Sequence, residues 1–177
     1  MSDWPVWATE DVHVVPADPA WAQLGEALRT RLDVLLAPWL TAPVEHVGST
    51  SVPGLDAKPV LDVQAQVRDL ACAEELADVL APEGWNYVPP ELDERAWRRF
   101  YVLVRDDRRA AHLHVMTAGT PRWHEQVEFR DRLRADPDLR DAYATLKRHL
   151  AARHASDREA YTEGKAGFVR AVLDGSA

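Results

Sequence analysis

The sequence has little cysteine and no long apolar run. Cys72 is the only cysteine, which excludes an intrachain disulfide and a cysteine-rich zinc site and favours a reducing, cytoplasmic setting. No apolar stretch reaches the roughly 18 residues that a membrane-spanning helix needs. The opening MSDWPVWATED also lacks the basic and apolar regions of a signal peptide. We therefore expect a cytoplasmic protein that has no membrane partner.

Basic residues are also scarce. The 21 Lys and Arg residues stand against 29 Asp and Glu, for a net charge of −8. Such a charge repels polyanions, so RNA is disfavoured as a partner. The 177 residues have an ordinary globular composition, 46% hydrophobic and 28% charged, with no repeat or linker. We expect one domain over residues 1–177.

Hydrophobic periodicity predicts a mixed α/β chain. The pattern indicates a helix that begins at Asp18 and Pro19 and ends near Pro38, and a second, capped by Asp69, over residues 70–80. Strands are predicted at residues 44–47, 60–67, 85–88, 97–104 and 111–116. Three helices should follow, opening at Thr120/Pro121, Asp136/Pro137 and a Ser156/Glu159 capping box. This predicts a sheet-containing body over about residues 12–118 and a helical part over about 120–173.

A turn-rich loop lies between the first two predicted strands. Glycine at Gly48 permits close approach to an anion, and the hydroxyls of Ser49, Thr50 and Ser51 can donate to phosphate oxygens. Lys58 can supply charge. The spacing is not that of a Walker A loop, so a P-loop ATPase is disfavoured. A surface turn made of small residues is the alternative interpretation.

Polar side chains alternate with apolar ones on two of the strands. Asp62, Gln64 and Gln66 share one side of the second strand, which we expect to face solvent, and Asp62 with Gln64 can hold a divalent cation beside a nucleotide. His112 and His114 share one strand face, where they can bind a transition metal, act as acid and base, or contact phosphate. An ordinary polar strand face explains either pattern equally well.

Several other residues can contribute to a site. Arg98 and Arg99 alternate on a strand, so one of them should face the histidines. Basic residues on the predicted C-terminal helices can line a phosphate site or remain surface cations, namely Arg130, Lys147 and Lys165. The sequence lacks a serine-hydrolase nucleophile elbow, and Cys72 is expected to pack as a small hydrophobic residue.

Several segments together resemble the GrpB family over about Val12 to Leu173. The segments are EHVGSTSVPGLDAKPVLDVQAQV, RRFYVLV, AHLHVMTAGTPRW, FRDRLRADP, YATLKRHLAARH and DREAYTEGKAGFV. That family is similar in sequence pattern to the nucleotidyltransferase superfamily and also occurs fused to some bacterial dephospho-CoA kinases. The resemblance implies an α/β (α+β) fold, a small mixed sheet flanked by helices, with a C-terminal three-helix segment.

The resemblance also implies a site. In the superfamily, a three-residue element binds the triphosphate; it consists of a hydrophobic residue, then Gly, then Gly or Ser. Three acidic residues on two strands hold two divalent cations. Val47-Gly48-Ser49 matches the first element, whereas Gln64 and the histidines stand where further carboxylates are usual. The implied metal is Mg²⁺ or Mn²⁺, or Zn²⁺ given the imidazoles, on Asp62, Gln64, His112 and His114. The implied nucleotide-binding residues are Gly48, Ser49, Thr50, Ser51, Lys58, Arg99, Lys147 and Lys165.

Three functional hypotheses follow. The first is metal-assisted nucleotidyl transfer, with Asp62 as the catalytic residue, from a nucleoside triphosphate to an unidentified small acceptor. The second is a noncatalytic nucleotide- or phosphate-binding module, which Gln64 favours because it replaces a carboxylate. The third is a metal-dependent hydrolase that uses Asp62, His112 and His114 together with His46.

Overall fold

The computed structural model describes residues 5–177. Residues 1–4, which are part of the opening segment MSDWPVWATED, lie outside the described residues. The described residues form a mixed five-stranded sheet flanked by helices. The helices are α1 (Ala20–Leu35), α2 (Ala73–Leu80), α3 (Pro90–Asp93), α4 (Pro121–Ala135), α5 (Pro137–Arg153), α6 (Arg158–Glu163) and α7 (Ala166–Asp174). The strands are β1 (Leu40–Val47), β2 (Leu61–Val67), β3 (Trp85–Val88), β4 (Arg99–Arg105) and β5 (Arg108–Thr117). The predicted α/β architecture is confirmed.

The sheet has the order β1-β2-β5-β4-β3, with β2 parallel to β5 and the other neighbours antiparallel. One of its faces forms the main hydrophobic core. On this face the apolar side chains of β2 and β5 pack against leucines of α1 and α2, including Leu32 and Leu80, which are almost fully buried. Burial of this apolar surface is the main force that holds the layers together.

The opposite face of β2 is covered as well, which the sequence did not predict. Gln64, expected on the solvent side, is fully buried under α4. Its Nε2 donates to the carbonyl oxygen of Trp123 at 3.1 Å, and its Oε1 accepts from Nε2 of Gln126 at 2.9 Å. The predicted alternation of side chains along β2 is confirmed. The predicted exposure of Gln64 to solvent is wrong, because its hydrogen bonds to α4 allow this polar side chain to be buried.

Strand β1 is longer than the sequence predicts. It begins at Leu40 rather than at residue 44, and its pairing with β2 is irregular between Leu40 and Glu45. Pro43 lies inside this irregular part and cannot donate a ladder hydrogen bond. Because β1 is an edge strand with only one neighbour, it tolerates the proline.

The helical part differs from the prediction in number and in one cap. The last predicted helix is divided into α6 and α7 at Gly164 and Lys165. Asp157, not Ser156, caps α6, and its Oδ1 accepts from the backbone N–H of Ala160 at 3.0 Å. A β-carbon built at Gly164 would lie 2.5 Å from Leu150, which explains this glycine by close packing.

The remaining predicted caps agree with the structure only in part. Pro19, not Asp18, is the N-cap of α1, although Oδ1 of Asp18 accepts from the N–H of Ala20 at 2.9 Å, and Thr120 precedes α4 without a side-chain cap hydrogen bond. Asp136 accepts from two backbone N–H groups at the start of α5, each at 3.0 Å. Asp69 accepts from the N–H of Ala71 at 2.8 Å, but it opens a 3₁₀ turn that precedes α2. Within residues 5–177, no helix has both the length and the apolar character needed to cross a membrane.

The contacts of Gln64 generate a prediction about stability. The Gln64→Met variant should lower the free energy of unfolding by about 1–3 kcal/mol, because it removes two buried hydrogen bonds between β2 and α4. Urea denaturation measures this loss. Gln66→Met is the matched control, because Gln66 is partly exposed on the same strand and bonds only to the hydroxyl of Thr41. Equal losses in the two variants would contradict the assigned role of Gln64.

Candidate functional site

A cavity of about 820 Å³ lies between the polar face of the sheet and the C-terminal helices. This volume lies within the usual range of small-molecule sites. The sheet contributes Asp62 from β2, Phe100 from β4, and His112 and His114 from β5. Helices α5 and α6 contribute Lys147 and Tyr161 from the other side. The fold thus brings the predicted carboxylate and histidines into one cavity.

The cavity is strongly cationic although the protein is acidic. Eight of its lining residues are Lys or Arg and three are Asp or Glu, whereas the whole chain has a net charge of −8. The chain contains three lysines, and all of them line this cavity: Lys58, Lys147 and Lys165. Such a concentration of positive charge attracts anions and increases their local concentration. The local basic patch that an anionic ligand requires is present here.

The lysines lie against tyrosine rings, and Lys147 is almost fully buried whereas Lys58 and Lys165 are partly exposed. The Nζ atoms of Lys165 and Lys58 lie 4.5 and 5.3 Å from the ring centroid of Tyr161, and Nζ of Lys147 lies 5.0 Å from that of Tyr143. Burial, reinforced by repulsion among the lysines, lowers the pKa of Lys147 to about 7 and that of Lys165 to about 8. A bound anion would stabilise their charged forms.

The loop that begins at Gly48 packs directly against Asp62. Gly48 has φ of +69°, and a β-carbon built there would lie 2.5 Å from Oδ2 of Asp62. Only glycine permits this approach. Gly48 and Ser49 line the cavity. The hydroxyls of the next two residues are used within the protein, because Ser51 donates to the Gly48 carbonyl at 2.6 Å and Thr50 to the Val60 carbonyl at 3.4 Å.

Both histidines of β5 contact the carboxylate of Asp62. Nδ1 of His112 lies 2.9 Å from Oδ1 of Asp62, and Nε2 of His114 lies 3.6 Å from the same oxygen. Burial opposes ionisation of Asp62, but the hydrogen bonds from His112 and His114 prevail and hold its pKa well below the usual range. Burial lowers the pKa of His112 to about 4, so this ring is neutral at pH 7. The carboxylate is therefore ionised and fixed between neutral rings.

Arg98 extends this network to a second carboxylate. Its Nε and Nη2 donate to the two carboxylate oxygens of Asp93 at 2.8 and 2.5 Å, and its Nη1 contacts Nδ1 of His114. The guanidinium also lies 4.1 Å from the ring centroid of Phe100. Arg98 is thus the member of the Arg98–Arg99 pair that faces the histidines. Asp93 was missed, because nothing in the sequence marks it as the partner of an arginine.

Several predicted site residues do not line the cavity, namely Thr50 and Ser51 of the Gly48 loop, Arg99, Gln64 and His46. Arg99 is on the core face of the sheet, paired with Val115, so the structure does not bring it to the other candidates. Gln64 is bound to α4, as described above. His46 pairs with Val63 on the core face and packs against α1, where a β-carbon at Gly25 would lie 2.1 Å from its Nδ1. The hypothesis of a metal-dependent hydrolase therefore loses His46 as a ligand.

Comparison with solved structures defines the class of fold. Cid1 in complex with its short product ApU aligns with a TM-score of 0.54 and 15% identity, over 79% of this chain and 43% of Cid1. A cytoplasmic RNA terminal U-transferase aligns with a TM-score of 0.52 and 16% identity, over 84% of this chain and 44% of that protein. Identity this low supports similarity of fold alone. The fold is of the nucleotidyltransferase type.

The chain belongs to the GrpB family, because the family model described as GrpB protein matches residues 11–175. The crystal structure of GrpB from Enterococcus faecalis aligns with a TM-score of 0.80 and 28% identity, covering 93% of this chain and 96% of that one. A UPF0157 protein of Pseudomonas aeruginosa is 39% identical over 94% of this chain and 69% of its own length.

Two of the relatives carry an enzyme name, dephospho-CoA kinase. A dephospho-CoA kinase of Mycolicibacterium paratuberculosis is 30% identical over 92% of this chain. The match covers 45% of that protein, so this chain corresponds to less than half of it. The implied occurrence of the family within kinase chains is thereby confirmed.

The contact between Gly48 and Asp62 can be tested by comparing alanine substitutions at Gly48 and at a second glycine, Gly119. Gly119 also has a positive φ, +85°, but a β-carbon there would meet nothing within 4 Å. Gly48→Ala should therefore lower the free energy of unfolding by about 1–3 kcal/mol more than Gly119→Ala, because only the former adds overpacking to backbone strain. Chemical denaturation of both variants measures the difference. Equal losses would show that the loop does not press on Asp62.

Proposed function

We propose that this chain binds a nucleoside triphosphate in the cationic cavity and transfers its nucleotidyl group to a small acceptor. The observation that carries the proposal is the convergence of Gly48, Ser49, Asp62 and all three lysines on one cavity. The nucleotidyltransferase-type fold supports the same reaction class by analogy. The acceptor would supply a hydroxyl group.

The two sides of the cavity suit the two parts of a nucleotide. The lysines and the Gly48 loop lie beside β1 and β2, which suits the phosphates. Apolar residues, among them one tryptophan, line the side next to β3 and α3, where a base can stack: Val88, Leu92 and Trp97. Strands β2 and β3 are three strand spacings apart in the sheet, or about 14 Å. We therefore infer that the nucleotide lies across the strands.

A divalent cation is implied by the family, and Asp62 fits one. Its Oδ1 accepts from His112, whereas its Oδ2 faces Gly48 at the phosphate side of the cavity. Magnesium is commonly held by one or two carboxylates together with substrate phosphates, so a single free carboxylate oxygen is sufficient. When bound, such a cation would neutralise charge on the triphosphate. Gln64 does not fit this role, because its amide is bonded to α4.

The positive charges of the cavity lysines would assist transfer of the nucleotidyl group. In the reaction, the acceptor oxygen forms a bond to the α-phosphorus, the bond from that phosphorus to pyrophosphate breaks, and the hydroxyl proton passes to solvent. Lys58 and Lys165 would stabilise the negative charge that develops on the departing pyrophosphate. Their partial burial strengthens this effect, because water screens charges less in such a cavity than on an open surface.

A noncatalytic nucleotide-binding module is the second candidate. The observation that favours it is the presence of a single carboxylate, Asp62, at the phosphate side, where Gln64 supplies no ligand. Pyrophosphate release separates the two candidates. Release by the wild-type protein that is lost in Asp62→Asn supports transfer, whereas binding without release supports the module.

Nucleotide binding itself can be measured first. In calorimetric titration with MgATP, Lys58→Met should weaken binding at least about tenfold, because a charge-assisted hydrogen bond contributes about 1.5–3 kcal/mol. Arg170→Met is the matched control, because it removes the same charge from an exposed site outside the cavity. Equal affinities of the two variants, or no binding by the wild-type protein, would contradict the proposal.

Proton uptake should accompany binding at pH 8. Lys147, with a pKa of about 7, is then mainly uncharged, and Lys165, with a pKa of about 8, is partly charged. A bound polyanion raises both pKa values, so protons enter the complex and affinity falls as the pH rises from 7 to 9.

Calorimetry in two buffers that differ in ionisation enthalpy measures this uptake. Charged groups near Lys147 also act on its pKa, since Lys165, Lys58 and Arg148 lower it and Asp56 raises it. Lys147→Met should reduce the number of protons taken up. An unchanged number would assign the uptake to other groups.

A further inference from the structure

The contact between Arg98 and His114 fixes the position of a proton. A guanidinium group has only donors, so Nδ1 of His114, which contacts Nη1 of Arg98, must act as the acceptor. A neutral imidazole with a lone pair on Nδ1 carries its hydrogen on Nε2. That nitrogen faces Oδ1 of Asp62 at 3.6 Å. His114 therefore directs an N–H group, not a lone pair, toward the carboxylate.

Asp93 prevents Arg98 from releasing His114. The Asp93 carboxylate accepts two hydrogen bonds from Arg98, and both side chains are more than 90% buried. Movement of Arg98 would leave the buried Asp93 carboxylate with only the longer contact to Nη1 of Arg95, at 3.8 Å, and loss of a close partner strongly destabilises a buried charge. The ring of Phe100 also packs against the guanidinium. The tautomer of His114 is thus built into the fold.

His112 has the complementary arrangement. Its Nδ1 lies 2.9 Å from Oδ1 of Asp62, and because an ionised carboxylate can only accept, Nδ1 carries the hydrogen. Its Nε2 is buried and has no hydrogen-bond partner among residues 5–177. Both histidines therefore present N–H groups to the same oxygen of Asp62.

We propose that His112 and His114 are positioning residues for Asp62 and not metal ligands. They hold Oδ1 and leave Oδ2, which faces Gly48, for a cation that arrives with the phosphates. Asp62, His112 and His114 lie close enough to suggest a transition-metal site, with possible ligand atoms within 4.8 Å of one another. A metal ion would need a lone pair of His114, but that lone pair is on Nδ1, which faces Arg98 and not the possible metal site. The inference rests on the proposed role of Asp62 in cation binding.

The first experiment titrates Co²⁺ alone into the protein and follows its visible absorption. The wild-type protein should bind weakly and show no spectrum of histidine ligation. In Asp93→Asn/Arg98→Gln, the amide oxygen of glutamine can accept from Nδ1–H of His114, directly or through a water. Nε2 is then free for the metal, and affinity should rise about 10- to 100-fold.

Asp93→Asn/Arg98→Met is the matched control. It removes the same charges but offers His114 no acceptor at position 98, so its affinity should rise less than that of the glutamine variant. Equal gains in the two folded variants would attribute the effect to charge and overturn the proposal. Tight histidine ligation of Co²⁺ by the wild-type protein would overturn it as well.

A second measurement does not depend on any variant. Nitrogen-15 NMR of the wild-type protein distinguishes protonated from unprotonated ring nitrogens, and we expect the hydrogen on Nε2 of His114 and on Nδ1 of His112. The opposite tautomer at either ring would overturn the proposal. Neither experiment contains nucleotide, so a failure here and a failure of nucleotide binding are distinguishable.

Discussion

The site depends on one partly buried, ionised carboxylate. Asp62 is held on one side by the two histidines of β5 and on the other by the backbone of Gly48. A buried charge is tolerated only when hydrogen bonds compensate for lost hydration, and here neutral rings provide that compensation. The position of the Gly48 loop, and with it the phosphate side of the cavity, follows from the position of this carboxylate. Parallel pairing of β2 and β5 places all three side chains side by side.

Under the proposed function, the cationic cavity would account for anion binding by an acidic protein. The net charge of the chain disfavours nonspecific binding of polyanions, while the cavity lysines concentrate positive charge where water screens it less. The low pKa values of Lys147 and Lys165 show that these charges are costly without a partner. A small polyphosphate that enters the cavity would relieve that cost, whereas an exposed polyanion chain would meet the acidic surface.

Local sequence signals predicted the elements and part of the site, and long-range contacts account for what they missed. Alternation placed Asp62, His112 and His114 correctly on one face, because strand period is a local property. It could not show that α4 covers Gln64, since that contact joins residues 62 positions apart. The sequence also did not reveal the pairing of Asp93 with Arg98, although only five residues separate them, because that pairing depends on how α3 turns into β4. The roles of Thr50 and Ser51 stay predictions, although their hydroxyls bond within the protein.

The proposed binding of a triphosphate next to Asp62 is consistent with the distribution of charge in the cavity. The superfamily pattern uses three carboxylates to hold two cations, which together neutralise the phosphates. In this chain Gln64 and the histidines remove two of those negative charges. Three lysines at the same cavity supply positive charge directly, without the need for a second metal. Under the proposed function, the loss of carboxylates and the presence of the cavity lysines are two halves of one electrostatic arrangement, in which amine groups would carry charge that a metal would otherwise carry.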